Sequence, residues 1–329
     1  MNSKYFHDRR NLIASAFSGG AITFFPSLVN ASSWPNERVN VVVPFPAGAA
    51  TDITGRVICA KLSQIWGQPV TIDNRGGGNG IPASEVVARA KPDGYSLLLT
   101  SAMTHAVNPA IYPKLSYRPV EDFEPISQLG TLSFVVLVRA DSPLKTLADL
   151  TALLKANPGK YNFGAGSLPA RVASELYLQQ SGVSAVGIGY KSNPQAFPDL
   201  LSGELTFMTI DTTNGLLQIE GGKMRGLAVS LPVRDKLMPN VPSATEAGLP
   251  GFQLFTWTGF YAPKGTPKEV ISKISHDIMT AASDPLIIKQ FQNLGGPPTT
   301  STPEEFAAFT ASEIERWGKI IKKTNIKFD

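Results

Sequence analysis

Apolar runs of strand length alternate with stretches whose apolar residues recur at helical spacing along most of the chain. Strand-like runs at 39–43, 70–72 and 96–100 are each followed by a helical stretch, at 54–66, 83–89 and 109–111. This alternation predicts an α/β fold on a parallel sheet, because strands covered on both faces read as continuous Val/Ile/Leu runs. A second set opens with a strand at 134–138, a helix at 147–156, a strand at 161–163 and a helix at 170–180. Strands at 185–190, 205–210 and 226–230, a helix at 196–201 and a turn at Glu220-Gly221-Gly222-Lys223 complete it. Helices at 269–282 and 303–321 follow, with Val270, Ile274 and Ile278 on one face of the first and Phe306, Phe309, Ile314, Trp317 and Ile321 on the second. The second has a clear start in Thr302-Pro303-Glu304-Glu305: a hydroxyl at the N-cap, proline at the first position and glutamate at the third.

The run VNVVVPFPAGAATD, residues 39–52, takes a buried strand directly into a Pro- and Gly-bearing loop that opens a helix. Such a loop favours an anion: backbone N–H groups of Gly48, Ala49 and Ala50, without partners at the helix start, are expected to face a carboxylate.

At 329 residues and 43% apolar, the chain is long enough for two globular lobes. The net charge of +4 is no nucleic-acid signature. Half of it sits in the first 31 residues, where Lys4, Arg9 and Arg10 face only Asp8, and no basic run is interleaved with aromatics. Residues 1–31 read as an export signal: a charged start through Arg10, an apolar core at 12–29 and a Val29-Asn30-Ala31 cleavage site. Arg9-Arg10-Asn11-Leu12-Ile13 is similar to a twin-arginine signal, with Asp8 where Ser or Thr is usual, leaving both export routes open. Gly19, Gly20 and Pro26 break the core, and no later stretch is long and apolar enough to insert the mature chain in a membrane. The single Cys59 excludes an internal disulfide and is expected to be a buried, inert thiol. His7, His105 and His276 lie too far apart in sequence to build a metal site.

Further motifs recur in a fixed order: Gly67-Gln68-Pro69-Val70, Asp73-Asn74-Arg75-Gly76-Gly77-Gly78, Lys91-Pro92-Asp93-Gly94-Tyr95, His105-Ala106-Val107-Asn108-Pro109-Ala110, Tyr112-Pro113-Lys114-Leu115, the stretch from Pro242-Ser243-Ala244-Thr245-Glu246 to Gly251, and Ala262-Pro263-Lys264-Gly265-Thr266-Pro267. In this order the chain resembles the Bug-type solute-binding receptors of tripartite tricarboxylate transporters, over nearly everything after Trp34. The resemblance implies a two-lobed type II periplasmic-binding-protein fold with the ligand cleft between lobes. The first lobe is then expected at 35–135 and 258–329, the second at 136–257. It implies a periplasmic receptor for a small organic carboxylate, with an aromatic or aliphatic dicarboxylate favoured, and no cofactor. Its partners would be the membrane subunits of such a transporter, or a sensor protein.

Open α/β sheets hold ligands at the carboxyl ends of strands, which selects four loops. The first lobe offers Phe45, Ala47, Gly48, Thr51 and Asp52, then Ser101, Thr104 and His105. By the resemblance, the first of these loops contacts the solute carboxylate through backbone amides, hydroxyls and bridging water. The second lobe offers Ser167, Leu168, Pro169 and Arg171, then Asp211. Gly166-Ser167-Leu168-Pro169-Ala170-Arg171 departs from the resembled family's Gly-Ser followed by polar residues and a histidine; Arg171, near the start of a helix, is a candidate bidentate partner for a second carboxylate, against an exposed pair with Glu175. Phe134 and Trp257 are candidate apolar walls, against plain core roles. Asp211 would repel a carboxylate, so it is expected to accept from a ligand N–H or hydroxyl, or to orient a loop amide.

Enzyme readings fail on context. Gly78-Asn79-Gly80-Ile81-Pro82-Ala83 matches G-x-G-x-x-A, but no acidic residue follows the next strand. Gly164-Ala165-Gly166-Ser167 is not a nucleophile elbow, and Asp52, Asp211 and His105 form no ordered triad. Binding without turnover is the expectation, with a periplasmic carboxylate enzyme as the alternative.

Overall fold

In the computed structural model, which describes residues 34–294 and 296–324, strands and helices succeed each other much as the apolar pattern predicts. The expected export segment, with His7, Arg9 and Arg10, lies outside the described residues. The chain opens with β1 (Val39–Val43), α1 (Ala50–Trp66), β2 (Val70–Asn74), α2 (Ile81–Ala88), β3 (Ser96–Ser101) and the one-turn α3 (Asn108–Ile111). A 17-residue strand, β4 (Phe123–Arg139), then crosses to a second set of elements. These are α4 (Leu147–Ala156), β5 (Asn162–Ala165), α5 (Leu168–Ser181), β6 (Val186–Gly189), α6 (Asn193–Ser202), β7 (Phe207–Asp211), α7 (Thr212–Glu220) and β8 (Met224–Val229). The chain comes back as β9 (Phe255–Pro263) and closes with α8 (Lys268–Ala282), α9 (Pro285–Gln292) and α10 (Pro303–Thr324).

Strands lie in the order β2-β1-β3-β9-β4-β7-β5-β6, with β8 also on β4. β1 sits between β2 and β3, parallel to both, and is buried except at Asn40, which is why its sequence is an almost unbroken valine run. The sheet is mixed, not purely parallel as expected: β9 is antiparallel to β3 and β4, and β4 is antiparallel to β7 and β8. β4 carries the two-lobed architecture. Up to Ser133 it pairs with β9; from Phe134 onward it pairs with β7 and β8. The predicted strand at 134–138 is therefore the second half of a longer one. Pro125 and Gly130 disguise the first half, and the register slips beside each of them, so bulges absorb both breakers.

Where the chain crosses back, Phe134 and Ser230 clasp the two passages together. Ser230 N–H donates to the Phe134 carbonyl (2.7 Å), Phe134 N–H donates to Ser230 Oγ (2.8 Å), and the Ser230 hydroxyl donates to the Leu254 carbonyl. Cys59 is buried in α1, and burial pushes its thiol up to about 12, which leaves it protonated and inert.

At the start of α10 the sequence-predicted capping box is present. Glu305 N–H donates to Thr302 Oγ1 (3.2 Å) and Thr302 N–H donates to Glu305 Oε2 (2.8 Å). Thr302→Ala is expected to cost about 1 kcal/mol. Guanidinium unfolding checks this: the midpoint should fall with an unchanged slope.

Candidate ligand-binding cleft

Four helices begin around one cavity between the lobes, which encloses ≈ 500 Å³ of empty space with its mouth included. α1 contributes Ala49, Ala50 and Thr51; α5 contributes Gly166, Ser167 and Pro169; α6 contributes Ser192, Asn193 and Pro194; α7 contributes Asp211 and Asn214. Helix starts carry unpaired N–H groups and the positive end of the helix dipole, so four of them in one place favour an anion without any cationic side chain. Two of the starts are closed by their own side chains. Ser167 Oγ accepts from Ala170 N–H (3.3 Å), and Asp211 Oδ1 accepts from Asn214 N–H (2.9 Å). The other two, α1 with N-cap Ala49 and α6 with N-cap Ser192, have no side-chain cap. One of these uncapped starts belongs to each lobe.

Hydroxyls from the crossing strands complete the wall. On β9, Thr256 and Thr258 face the cavity, while Trp257 between them points away and packs edge-on against Phe306. Thr256 Oγ1 is buried with no hydrogen-bond partner among the described residues. Leu132 and Phe134, two apart on β4, add the apolar surface, with Phe45 above them on the loop after β1. A valine at 256 keeps the shape and removes that orphan hydroxyl. Thr256→Val is therefore expected to leave the unliganded protein as stable or slightly more so, and to weaken carboxylate binding about tenfold. Unfolding and calorimetric titration of the same variant check both halves.

Among the described residues Asp211 is the one ionisable side chain lining this cavity. Burial pushes its carboxyl above the ordinary range, against the pull of hydrogen bonds from Asn214 and Asn193. Asn193 Nδ2 donates to Asp211 Oδ2 (3.0 Å), and Asn193 Oδ1 in turn accepts the Gly166 N–H (3.0 Å). Asp211 thus fixes the start of α7 and, through Asn193, ties the starts of α5 and α6 together.

Of the sequence-predicted residues, Phe45, Thr51, Ser101, Phe134, Ser167, Pro169 and Asp211 gather at this cavity. Leu168 and Arg171 line a second cavity beside it, which shares Phe45, Gly166 and Ser167. The remaining candidates are elsewhere. Ala47 and Gly48 are exposed, and the Gly48 N–H is taken by Asp52 Oδ2 (2.9 Å). The Ala49 N–H, also expected to face a ligand, reaches back to the Pro46 carbonyl (3.3 Å); Ala50 and Thr51 supply the open N–H groups instead.

Asp52 is a brace for the loop. It accepts from Arg56 (3.0 Å) and from Asn74 Nδ2 (3.0 Å), which also donates to the Phe45 carbonyl. Burial alone would raise its carboxyl, but the bonds from Arg56, Gly48 and Asn74 outweigh it and hold the group below the usual range. Thr104 and His105 are fully buried behind the cleft. The Thr104 hydroxyl is shared with Thr100 Oγ1 and His105 Nδ1 (2.8 Å each), and the His105 ring stacks on Tyr261 with centroids 4.0 Å apart. Trp257 is likewise core. The sequence reading missed Leu132, Thr256 and Thr258, and the start of α6, although Ser192-Asn193-Pro194 was a readable helix-start signal.

Two α/β lobes joined through β4 and the passage back to β9, with a donor-lined cavity between them, define a solute-binding receptor of the periplasmic-binding-protein kind. The chain belongs to the tripartite tricarboxylate transporter family receptors, whose description matches residues 54–326. It is 32% identical to protein BugT of Bordetella pertussis, over 91% of this chain and 93% of that one. Among solved structures it is similar to R. palustris Rpa4515 with adipate: TM-score 0.86, 29% identity, covering 89% of this chain and 99% of that one. It is also similar to MatC of Rhodopseudomonas palustris with bound malate: TM-score 0.80, 30% identity, 88% and 100% covered. The family and these neighbours are binding proteins, not enzymes.

Proposed function

We propose that this protein is an exported periplasmic receptor that closes its two lobes on a small organic dicarboxylate and hands it to the membrane subunits of a tripartite transporter. The observation that carries the reading is the pair of uncapped helix starts, α1 from one lobe and α6 from the other, at a single cavity. A carboxylate there accepts from Ala50 and Thr51 N–H groups on one side and from the start of α6 on the other, so the ligand itself links the lobes. Ser101, Thr256 and Thr258 add hydroxyl donors, and Phe45, Leu132 and Phe134 cover the ligand's apolar body. The adipate and malate of the two neighbours are both dicarboxylates, which supports that class here. Residues 35–135 and 258–329 form the first lobe on this reading, and 136–257 the second. Among the described residues no helix is long and apolar enough to cross a membrane, in keeping with a receptor that works beside its transporter.

A thermal-shift screen of the mature protein tests this. The sets are phthalate-type diacids, C4 to C6 aliphatic diacids, aromatic monoacids and citrate-like acids. A ligand that binds only the folded state raises the melting temperature, by an amount that grows with ligand concentration over Kd. A selective rise with one carboxylate class is expected; no rise with any of them contradicts the reading.

A further inference from the structure

The second cavity, between the same lobes, is lined by cationic side chains, which the first lacks among the described residues. Its second-lobe wall carries Arg171, in the first turns of α5, and Lys191, just before the N-cap of α6. Its first-lobe wall includes the turn Gly77–Gly80, and among the described residues no Asp or Glu lines the cavity. That turn runs through successive left-handed residues, with φ of 54° at Gly78, 52° at Asn79 and 72° at Gly80. Asn79 is the one non-glycine residue at positive φ among the described residues, a conformation unfavourable for an L-residue and held here by its neighbours.

Asn108 Nδ2 donates to the Asn79 carbonyl (2.9 Å), and Asn79 Nδ2 donates to the Tyr112 hydroxyl. Because that hydroxyl accepts from Asn79, its own proton is left to donate, and Tyr112 lines the cavity. The Gly80 N–H is taken by the Gly77 carbonyl (3.0 Å), so the concavity that such a turn offers an anion rests on the N–H groups of Gly78 and Asn79. Glu175, on the next turn of α5, interacts electrostatically with Arg171, so the second cation, Lys191, matters to the net field.

We propose that this outer cavity is a second anion subsite, in which the far carboxylate of a dianionic ligand sits between Lys191 and Arg171 of one lobe and the Gly77–Gly80 turn and Tyr112 of the other. The assignment rests on the carboxylate-receptor reading and deepens it. The first carboxylate is held by neutral helix starts, the second by cations, and Phe45 and Ser167, which border both cavities, flank the body between them. Selection for a dianion then lies in the outer cavity. The inner one, whose only ionisable side chain among the described residues is Asp211, gives no charge preference for a second carboxylate.

Calorimetric titration of the mature protein with straight-chain C4 to C8 diacids, phthalate and the matching monoacids tests this. It is run on the parent protein, Lys191→Ala, Arg171→Ala and the double variant. The best diacid is expected to bind at least about tenfold tighter than its matched monoacid. Each single variant should narrow that gap, and the double variant should close it while leaving the monoacid Kd within about twofold. Equal affinity of diacid and monoacid for the parent protein, or a gap that survives the double substitution, overturns the outer subsite and leaves the receptor reading standing. Monoacid affinity that rises with added acetate would place a separate anion there and overturn the single-dianion assignment. No binding of any acid to protein shown to be folded by circular dichroism overturns both.

Discussion

Replacing Gly166 with alanine is expected to weaken carboxylate binding at least about a hundredfold and to cost about 3 kcal/mol of stability. The glycine lies flat against the start of α6. A Cβ built on it would stand 2.0 Å from the Ser192 carbonyl carbon and 2.0 Å from the Asn193 amide nitrogen. Both are backbone atoms, so no rotamer change relieves the clash; α6 or the loop after β5 has to move. Either movement breaks the hydrogen bond from Gly166 N–H to Asn193 Oδ1, which links this loop to Asn193 and Asp211. The wall made by α5, α6 and α7 then loses its geometry, and with it the second lobe's share of the anion site. Titration of the folded fraction and guanidinium unfolding give the two numbers. Gly318→Ala is the control. It sits inside α10 with nothing within 4 Å of a built Cβ, so it should leave binding alone and stabilise by roughly 0.5–1 kcal/mol.

The second large effect concerns acid stability. Burial lowers His105 from 6.5 to about 3, because the ring is enclosed by Tyr261, Phe123 and Tyr117 and its Nε2 has no partner among the described residues. In the unfolded chain the imidazole takes up a proton below its ordinary value; in the folded protein it does not until near pH 3. The stability tied to the neutral ring is therefore fully present above about pH 6.5 and is lost as pH falls toward 3. By pH 5 the loss amounts to about 2 kcal/mol.

His105→Phe keeps an aromatic ring on Tyr261 and removes the titration. The stability difference between variant and parent is expected to swing by about 2 kcal/mol in favour of phenylalanine between pH 7.5 and 5. Glu175 and Asp211, both pushed up chiefly by burial, act in the opposite sense. Each is present in both proteins and cancels in the difference. Parallel stability curves for the two proteins across that range would contradict the buried neutral ring.

His105 also marks how far the sequence could be read. In sequence it is a polar residue after a strand in a candidate ligand loop, and nothing local says that Tyr117, Phe123 and Tyr261 will close around it. Trp257 failed for a sharper reason. A strand offers alternate residues to opposite faces, and without the phase of β9 the large aromatic was chosen over Thr256 and Thr258. The helices with strong signals were readable: α4 matches its predicted bounds, and α10 begins at the predicted proline.

The start of α1 was placed four residues too late, because Ala49 and Ala50 carry no capping side chain. That same lack of a cap leaves its N–H groups open to a ligand, so the feature that hid the boundary is the one that makes the site. β4 was cut short by Pro125 and Gly130, and its antiparallel place between β9 and β7 depends on long-range pairing that periodicity does not encode. The loops after β1, β3, β5 and β7 were legible as a site because open α/β sheets hold ligands at the carboxyl ends of their strands; the loop before α6 looks like an ordinary helix start until it is brought beside them.

A crystal structure of the mature protein with the tightest-binding acid of the titration series examines the anion site directly. We expect one carboxylate of the ligand within 3.5 Å of the Ala50 or Thr51 amide nitrogen and facing the start of α6, with Thr256 Oγ1 donating to it. A ligand whose carboxylate lies away from both uncapped helix starts, or one that presents an uncharged group to them, would contradict the assignment of that cavity as the carboxylate site.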